Sequence, residues 1–272
     1  MKSINLILKK IDAVTTGGKI KRLVDRIRVY YFYKKIESSS YDRVSYFAIN
    51  SNKNELNSLF EYYGSDKGTV NNSSSHLSWP IHSYGEVYDL IFSFGRLSVN
   101  KIVECGIGTN NPNLRSSMGI NGKPGASLRA WRDYFTYAKI VGCDIDPNIL
   151  FTEERIETYH CDQTDPLSIA KFRMAANLKS NTCDIIIDDG LHEFNAGVCF
   201  FNGMIDSLKK SGVYIIEDVR PDDAIRYAAY FSNQNYRTSI CDMPRRDLAL
   251  GYNTIVIVKH GLINNQVQHQ IQ

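Results

Sequence analysis

The sequence lacks an uninterrupted run of about 18 apolar residues, which is the length that a membrane-spanning helix requires. It also shows no signal-peptide pattern, so we expect neither secretion nor a membrane span. No Cys-x-x-Cys pair occurs, and the cysteines are typical of small buried hydrophobic residues in a reducing compartment. These absences favour a cytoplasmic protein. The six cysteines are Cys105, Cys143, Cys161, Cys183, Cys199 and Cys241.

The chain has little net charge, and that charge is unevenly distributed. Residues 1–40 contain ten Lys or Arg and three acids, a net charge of +7, so the rest of the chain carries −4 of the total of +3. A mildly acidic body disfavours nucleic acid as a partner. The basic segment indicates either contact with a partner or with the inner membrane surface, or a helical extension that packs on the domain or on a second subunit of a homo-oligomer.

The third glycine of the dinucleotide fingerprint G-x-G-x-x-G is also missing. Gly106 and Gly108 follow the first apolar strand pattern, but a polar insertion at 109–125 separates them from the next helix. A pyrophosphate therefore has no helix N-terminus close to the glycine turn, which disfavours a nicotinamide-dependent oxidoreductase. Asp144 ends the second strand pattern, where a carboxylate binds the two hydroxyls of a ribose. The pattern favours a ligand that contains adenosine but no phosphates.

The 272 residues, 43% of them hydrophobic, are enough for one sizeable core. Helical patterns separate the strand patterns, which predicts an α/β fold with a Rossmann-like, seven-stranded, doubly wound sheet that ends in an antiparallel hairpin. We expect a basic helical N-terminal extension at 1–50, one domain at 51–260 and a polar tail at 261–272. The predicted strands lie at 101–105, 139–143, 156–159, 183–187, 212–216, 236–241 and 252–259.

Acidic side chains follow two neighbouring predicted strands. Asp188, Asp189 and His192 come after the fourth strand, and Glu217 and Asp218 come after the fifth. The carboxyl ends of neighbouring parallel strands meet at one sheet edge, so these carboxylates would repel one another without a cation. The pattern predicts a divalent metal with oxygen ligands, Mg²⁺ or a similar ion. Asp188 and Glu217 have an alternative interpretation as helix caps.

Two further pairs of residues have open interpretations. Asp162 and Gln163 follow the third strand, where polar groups can bind an adenine edge, although Asp162 is equally suited to cap the next helix. His82 and Tyr84 open a helix that packs under the first strand, and either side chain can reach the pocket.

The seven strands, the pattern Glu-x-Gly-x-Gly at 104–108 and the acid that ends the second strand resemble the class I S-adenosylmethionine-dependent methyltransferases. The resemblance covers roughly residues 60 to 260. Asp-Asp-Gly-Leu-His at 188–192 and Glu-Asp at 217–218 are similar to motifs of the metal-dependent, macrocin-type O-methyltransferases, which act on sugar hydroxyls, and of their cephalosporin hydroxylase-like relatives. The segments at 64–68 and 125–131 are similar to the same group.

The resemblance implies S-adenosylmethionine as the cofactor. Gly106 and Gly108 would line its methionine part, Asp144 would bind the ribose, and Asp162 and Gln163 would face the adenine. The full set of cofactor-binding residues that the resemblance implies is Glu104, Gly106, Gly108, Ser127, Asp144, Asp162, Gln163 and Asp188.

The resemblance also implies a metal site and a base. Asp189 and Asp218 would bind the metal with Glu104 as a third ligand, and His192 would act with Asp189 in catalysis by taking a proton. Leu191 departs from the usual motif, which has serine there. The expected function is O-methylation of a sugar hydroxyl on a surface polysaccharide or a related glycan or metabolite. The alternatives are a nicotinamide-dependent oxidoreductase and a non-catalytic cofactor-binding module.

Overall fold

The structure is a computed structural model that describes residues 54–68, 81–243 and 253–261. The predicted extension at 1–50, the charged hairpin turn at 244–247 and the polar tail beyond residue 261 lie outside the described residues. None of the helices in the described ranges is long and apolar enough to cross a membrane.

The predicted α/β sheet is confirmed, with one additional strand. Eight strands lie in the order β3-β4-β2-β1-β5-β6-β8-β7. β1, β2, β4, β5 and β6 run parallel, whereas β8 pairs antiparallel with both β6 and β7 and so forms the expected hairpin. The strands are β1 Lys101–Cys105, β2 Lys139–Asp144, β3 Thr152–Glu153, β4 Ile156–His160, β5 Cys183–Asp188, β6 Leu208–Ile216, β7 Tyr236–Asp242 and β8 Thr254–His260.

The additional strand, β3, contains only two residues and pairs antiparallel with the start of β4. A tight turn joins the two strands, and Arg155 in this turn has a φ of 60°. An element of two residues is too short to produce an alternating pattern, so the sequence did not indicate it.

Helices cover both faces of the sheet, as a doubly wound fold requires. One buried cluster packs the first three helices on one face, and a second cluster packs the last three on the opposite face. The helices are α1 Glu55–Tyr63, α2 Tyr84–Phe92, α3 Ala126–Tyr134, α4 Pro166–Ala175, α5 Phe194–Met204 and α6 Pro221–Ser232.

The register of the parallel strands brings their carboxyl ends together. Cys105 at the end of β1 pairs with Cys143 of β2 on one side and with Asp188 of β5 on the other. Asp188 in turn pairs with Ile216 at the end of β6. The chain order reverses at β1, which opens a crevice beyond these strand ends. The loops after β1, β2, β5 and β6 therefore meet at one edge.

Candidate active site

A pocket of about 430 Å³ lies at this edge, within the size range of small-molecule and cofactor sites. Its walls come from the loops after α1, β1, β2, β5 and β6, together with the insertion that follows β1. The lining residues are Ser65, Asp66, Lys67, His82, Gly106, Ile107, Gly108, Arg115, Ser116, Ser117, Met118, Lys123, Ala126, Ser127, Asp144, Asp189, His192 and Asp218.

The predicted glycine turn lies on the pocket wall. Gly106 has a φ of +83°, and a Cβ atom there would lie 2.0 Å from the backbone oxygen of Asp189. Gly108 has a φ of +90°, and its missing side chain leaves room for the sulfur of Met118. Only glycine permits both the backbone conformation and the close contact of the loops after β1 and β5.

The polar insertion at 109–125 forms one side of the pocket. The side-chain amide of Asn110 donates hydrogen bonds to the backbone oxygens of Gly119 at 2.6 Å and Gly122 at 2.8 Å. The backbone N–H of Gly125 donates to the oxygen of Ile107 at 2.7 Å and returns the chain to α3. The insertion thus separates the glycine turn from the start of the helix, as the sequence predicted.

Asp144 lies on the pocket wall at the end of β2. One carboxylate oxygen accepts a hydrogen bond from the backbone N–H of Ile107 at 2.9 Å, and the other accepts from the N–H of Asp146 at 3.0 Å. Burial raises the pKa of Asp144, while these backbone donors oppose the shift. Each oxygen retains a lone pair, so the fixed carboxylate fits the two hydroxyls of a ribose. Ser127, also in the predicted cofactor set, lines the pocket as well.

Asp189, His192 and Asp218 form a compact cluster in the wall of the pocket. One ligand atom from each lies within 4.8 Å of the others. Nε2 of His192 is 3.1 Å from Oδ1 of Asp189, and Nδ1 is 3.6 Å from Oδ2 of Asp218. The carboxylates of Asp189 and Asp218 would hold a divalent ion, for which carboxylate oxygens are the usual ligands. The donor set therefore fits the predicted metal.

The backbone at two of these residues has an uncommon conformation. His192 has a φ of 55° and Asp218 a φ of 50°, both in the left-handed region that non-glycine residues rarely occupy. Such conformations cost about 1 to 3 kcal/mol each and are frequent at functional sites. The strain supports a role for this cluster.

The cluster attracts positive charge. Burial alone would lower the pKa of His192, but Asp218 and Asp189 outweigh it and raise this pKa to about 10. Burial would raise the pKa of Asp189, but Lys67 and His192 outweigh it and lower this pKa to about 2. Water screens part of the attraction, because 34% of the His192 side chain is exposed. A divalent ion on the carboxylates would favour neutral His192.

Lys67 is a site residue that the sequence did not indicate. Its side chain is 2% exposed, and Nζ lies 2.5 Å from Oδ2 of Asp189 and 3.4 Å from Oε1 of Glu104. Nζ also forms an ion pair with Glu217. The loop at 64–68 shows one charge of each sign among turn-forming residues, and nothing in that pattern distinguishes a buried lysine from a solvated one.

His82 and Tyr84 both contribute, in different ways. His82 lines the pocket, and its Nε2 is 3.5 Å from Oδ1 of Asp218. Tyr84 stacks on His82 with 4.5 Å between ring centroids, and its hydroxyl donates a hydrogen bond to Asp218. Tyr84 therefore orients Asp218, a candidate metal ligand, whereas His82 lines the pocket.

Four residues of the predicted site are not among the residues that line the pocket. Oε2 of Glu104 accepts a hydrogen bond from the indole N–H of Trp131 at 2.6 Å. Oδ1 of Asp162 accepts from the backbone N–H of Thr164 at 2.8 Å. The remaining two, Gln163 and Asp188, contact each other. The roles assigned to all four residues stay predictions, because none of the four lines the pocket.

Gln163 connects Asp188 to the loop that carries His192. Its amide N–H donates to Oδ1 of Asp188 at 3.0 Å, and its amide oxygen accepts from the backbone N–H of Leu191 at 2.5 Å. A Cβ atom on Gly190 would lie 1.8 Å from this oxygen. The side chain thus fixes the backbone immediately before His192.

Because the amide of Gln163 contacts Asp188 and Leu191, we expect Gln163→Met to lower the turnover of methyl transfer by about tenfold, or about 1.4 kcal/mol. Cofactor affinity should stay unchanged, in contrast to the adenine contact that the sequence predicts. Methionine fills a similar volume but provides neither hydrogen bond, so the loop loses its support. Kinetics and calorimetry measure the two effects. The matched variant Asp162→Asn should instead weaken cofactor binding if Asp162 faces adenine. Weaker cofactor binding with normal turnover in Gln163→Met would contradict this prediction.

Comparison with known proteins supports the resemblance. No protein-family model matches the chain. It is 31% identical over 142 residues to the 8-demethyl-8-alpha-L-rhamnosyl tetracenomycin-C 2'-O-methyltransferase of Streptomyces olivaceus, covering 52% of this chain and 34% of that protein. It is also 31% identical over 139 residues to the demethylmacrocin O-methyltransferase of Streptomyces fradiae, covering 51% of this chain and 32% of that protein. The matched segment thus spans about a third of these relatives.

The fold has solved counterparts. The MycE methyltransferase from the mycinamycin biosynthetic pathway, in complex with Mg and SAH, superposes with a TM-score of 0.54 and 20% identity, covering 79% of this chain and 57% of that protein. At this identity the likeness concerns the fold. The predicted resemblance, to class I methyltransferases in fold and to sugar O-methyltransferases in sequence, is therefore confirmed.

Proposed function

We propose that the protein is an S-adenosylmethionine-dependent, divalent-metal-assisted O-methyltransferase that acts on a sugar hydroxyl. The observation that carries the proposal is the cluster of Asp189, His192 and Asp218 in a pocket that is also lined by the glycine turn and Asp144. The named activities of the sequence relatives, which are O-methyltransferases of rhamnosyl tetracenomycin and demethylmacrocin, support it.

The pocket residues fit the proposed cofactor. Gly106 and Gly108 would lie along its methionine part, and the two oxygens of Asp144 would accept hydrogen bonds from the ribose. When bound, S-adenosylmethionine supplies a methyl group on a positively charged sulfur that leaves as a neutral thioether. The presence of SAH in the MycE structure supports this assignment.

The acid cluster would act on the acceptor. Asp189 and Asp218 would hold a divalent ion, which stabilises negative charge on the acceptor oxygen. His192 would take the hydroxyl proton on a ring nitrogen as the new bond forms. Tyr84 holds the Asp218 carboxylate, and Gln163 holds the loop of His192, so both groups are oriented before the substrate binds. Mg in the MycE structure supports the choice of metal.

The acceptor is proposed as a sugar hydroxyl. The surface-polysaccharide acceptor expected from the sequence has no counterpart in the names of the matched relatives, which include a rhamnosyl tetracenomycin-C, demethylmacrocin and L-olivosyl-oleandolide. The proposal therefore specifies a sugar hydroxyl as the methyl acceptor but does not specify the larger molecule that carries the sugar.

The test is transfer of a labelled methyl group from S-adenosylmethionine by the purified full-length chain. We expect labelling of deoxysugar glycosides with Mg²⁺ and its loss in excess chelator, and calorimetry should show binding of S-adenosylmethionine but not of NAD. Cofactor binding with no transfer to any glycoside or polysaccharide fragment would instead indicate a non-catalytic module. Full activity in chelator would remove the metal from the mechanism.

His192→Asn should lower methyl transfer by about 10² to 10⁴-fold, the usual contribution of general acid–base catalysis. Mn²⁺ affinity should change little, since both carboxylates remain. The matched control is His160→Asn, an exposed histidine at the end of β4, which should keep full activity. Loss of Mn²⁺ binding in His192→Asn would show that His192 is a metal ligand and not the base.

A further inference from the structure

The insertion at 109–125 brings both of its charged side chains to the pocket. Arg115 and Lys123 are the only charged residues in this segment, which contains no acid. Each of the two lines the pocket. Because this wall presents positive charge and no negative charge to the cavity, it favours a ligand that has an anionic group.

Hydrogen bonds and packing hold the insertion against the strand ends. The hydroxyl of Thr109 donates a hydrogen bond to the carboxylate of Asp146, in the loop after β2. The backbone N–H of Met118 donates to the backbone oxygen of Thr109 at 2.8 Å, and the sulfur of Met118 lies against Gly108. The wall that carries the two positive charges is therefore a fixed part of the pocket.

Arg115 lies next to the loop that carries the proposed base. Its guanidinium forms an ion pair with Glu193, the residue that directly follows His192 in the sequence. In the proposed reaction the acceptor hydroxyl must lie beside His192, which takes its proton. The guanidinium is therefore close to the part of the pocket that the acceptor occupies.

The ion pair with Glu193 leaves Arg115 able to bind a ligand. The side chains of Arg115 and Glu193 are 72% and 40% exposed, and exposed ion pairs contribute little to stability. A guanidinium has five N–H donors, and one nitrogen of Arg115 donates to Glu193. The remaining donors can form the planar, bidentate contact that carboxylate and phosphate groups accept.

Lys123 adds a second positive charge on the same wall. Its side chain is exposed, and within the described ranges of the chain it forms no ion pair. Lys67 also lines the pocket but differs, because its ammonium is buried among three carboxylates. Of the Lys and Arg side chains that line the pocket, Arg115 and Lys123 are therefore the two that a ligand can reach.

We propose that the acceptor sugar carries an anionic group, a phosphate or a carboxylate, that Arg115 binds this group, and that Lys123 strengthens the attraction. Glycosyl phosphates, nucleoside diphosphate sugars and uronic acids share this chemistry. The inference rests on the proposed function, because it concerns the acceptor of the same pocket. It narrows the acceptor from any sugar hydroxyl to a hydroxyl of a charged sugar.

The test compares matched acceptors, with the purified full-length chain, S-adenosylmethionine and Mg²⁺. Each sugar is offered as a neutral methyl glycoside, a 1-phosphate, a nucleoside diphosphate sugar and a uronic acid. We expect kcat/KM to be about tenfold higher for one of the anionic forms than for the neutral glycoside. High salt should reduce this preference, because dissolved ions screen exposed charges. The preferred form identifies the anionic group.

Arg115→Gln should raise the KM for the preferred anionic acceptor about tenfold, with kcat less affected, and should thereby remove the preference over the neutral glycoside. Lys123→Gln should act in the same direction with a smaller effect. The matched control is Lys139→Gln, which removes an exposed positive charge at the start of β2, the end of this strand that is opposite Asp144. This control should keep the full preference for the anionic acceptor.

Equal use of anionic and neutral sugars by the natural chain would overturn the inference and leave the proposed function intact. Weaker binding of S-adenosylmethionine by Arg115→Gln, with an unchanged acceptor preference, would also overturn it, because the guanidinium would then bind the cofactor. Methyl transfer to none of the acceptors would refute the proposed function. Calorimetry with the same 1-phosphates and uronic acids would then decide the inference, which requires tighter binding by the natural chain than by Arg115→Gln and fails if the two bind equally.

Discussion

Asp189→Asn is expected to lower methyl transfer by about a thousandfold, which corresponds to about 4 kcal/mol of lost transition-state stabilisation. One oxygen of the Asp189 carboxylate contacts the ammonium of Lys67 at 2.5 Å, and the other lies 3.1 Å from Nε2 of His192, on the side of the proposed metal ion. An amide has only one oxygen, so its NH₂ group must face one of these positive charges. Either orientation weakens the metal site. Affinity for S-adenosylmethionine should change little, because the variant keeps the backbone of Asp189 beside Gly106 and leaves Asp144 unchanged.

A matched control lies on the same strand. Asp184 is near the start of β5, where its carboxylate accepts from the backbone N–H of Asn100 at 2.9 Å and pairs with Lys209 at 2.7 Å. Asp184→Asn should retain activity within about twofold, because surface pairs contribute little. Normal methyl transfer in Asp189→Asn, with stoichiometric Mn²⁺ binding, would contradict the assigned role.

The elements that form the pocket could be predicted because local patterns specify them. Buried parallel strands appear as short apolar runs that end in glycine or acid, and β1, β2 and β5 follow this pattern. The sheet order then follows from the general rules for crossover connections, which place these strand ends at one edge. Asp144, Asp189 and Asp218, at or just after the strand ends, line the pocket, and the roles assigned to them stay predictions.

The direction of side chains near the strand ends was harder to predict. Side chains alternate between faces along a strand, so Glu104 points to the face that Trp131 covers, while the next residue points to the opposite face. Gln163 and Asp188 pair with each other behind the loop. These side-chain orientations depend on partners that are distant in the sequence, so no local sequence pattern predicts them.

Lys67 is the clearest example of a site residue that could not be predicted from the sequence. It lies 37 residues before Glu104 and 150 before Glu217 in the sequence, and only the packing of the loop after α1 brings it to them. The sequence indicated mutual repulsion among acids and therefore a metal. The structure shows that a buried ammonium balances part of this charge. An acid cluster alone thus overestimates the negative charge that a metal ion must balance.

Gly106→Ala should destabilise the fold by about 3 to 5 kcal/mol and abolish cofactor binding. The new Cβ atom would lie 2.0 Å from the backbone oxygen of Asp189, in a residue whose φ is +83°. Backbone cannot rotate away as a side chain can, so the loops after β1 and β5 must separate. That movement would displace the pocket wall and the carboxylate of Asp189 together. Denaturant unfolding and calorimetry with S-adenosylmethionine measure the two effects.

Gly119→Ala distinguishes the effect of the steric clash in Gly106→Ala from the effect of the positive φ. Gly119 also has a positive φ, +69°, but nothing lies within 4 Å of the position of its Cβ atom. It should therefore lose only about 1 to 2 kcal/mol, the usual cost of a left-handed alanine, and should keep cofactor binding. If both variants lost the same stability, the contact with Asp189 would have no energetic role. A larger loss for Gly106→Ala would show that the glycine keeps the two strand-end loops in contact, and this contact places Asp189 beside the cofactor end of the pocket.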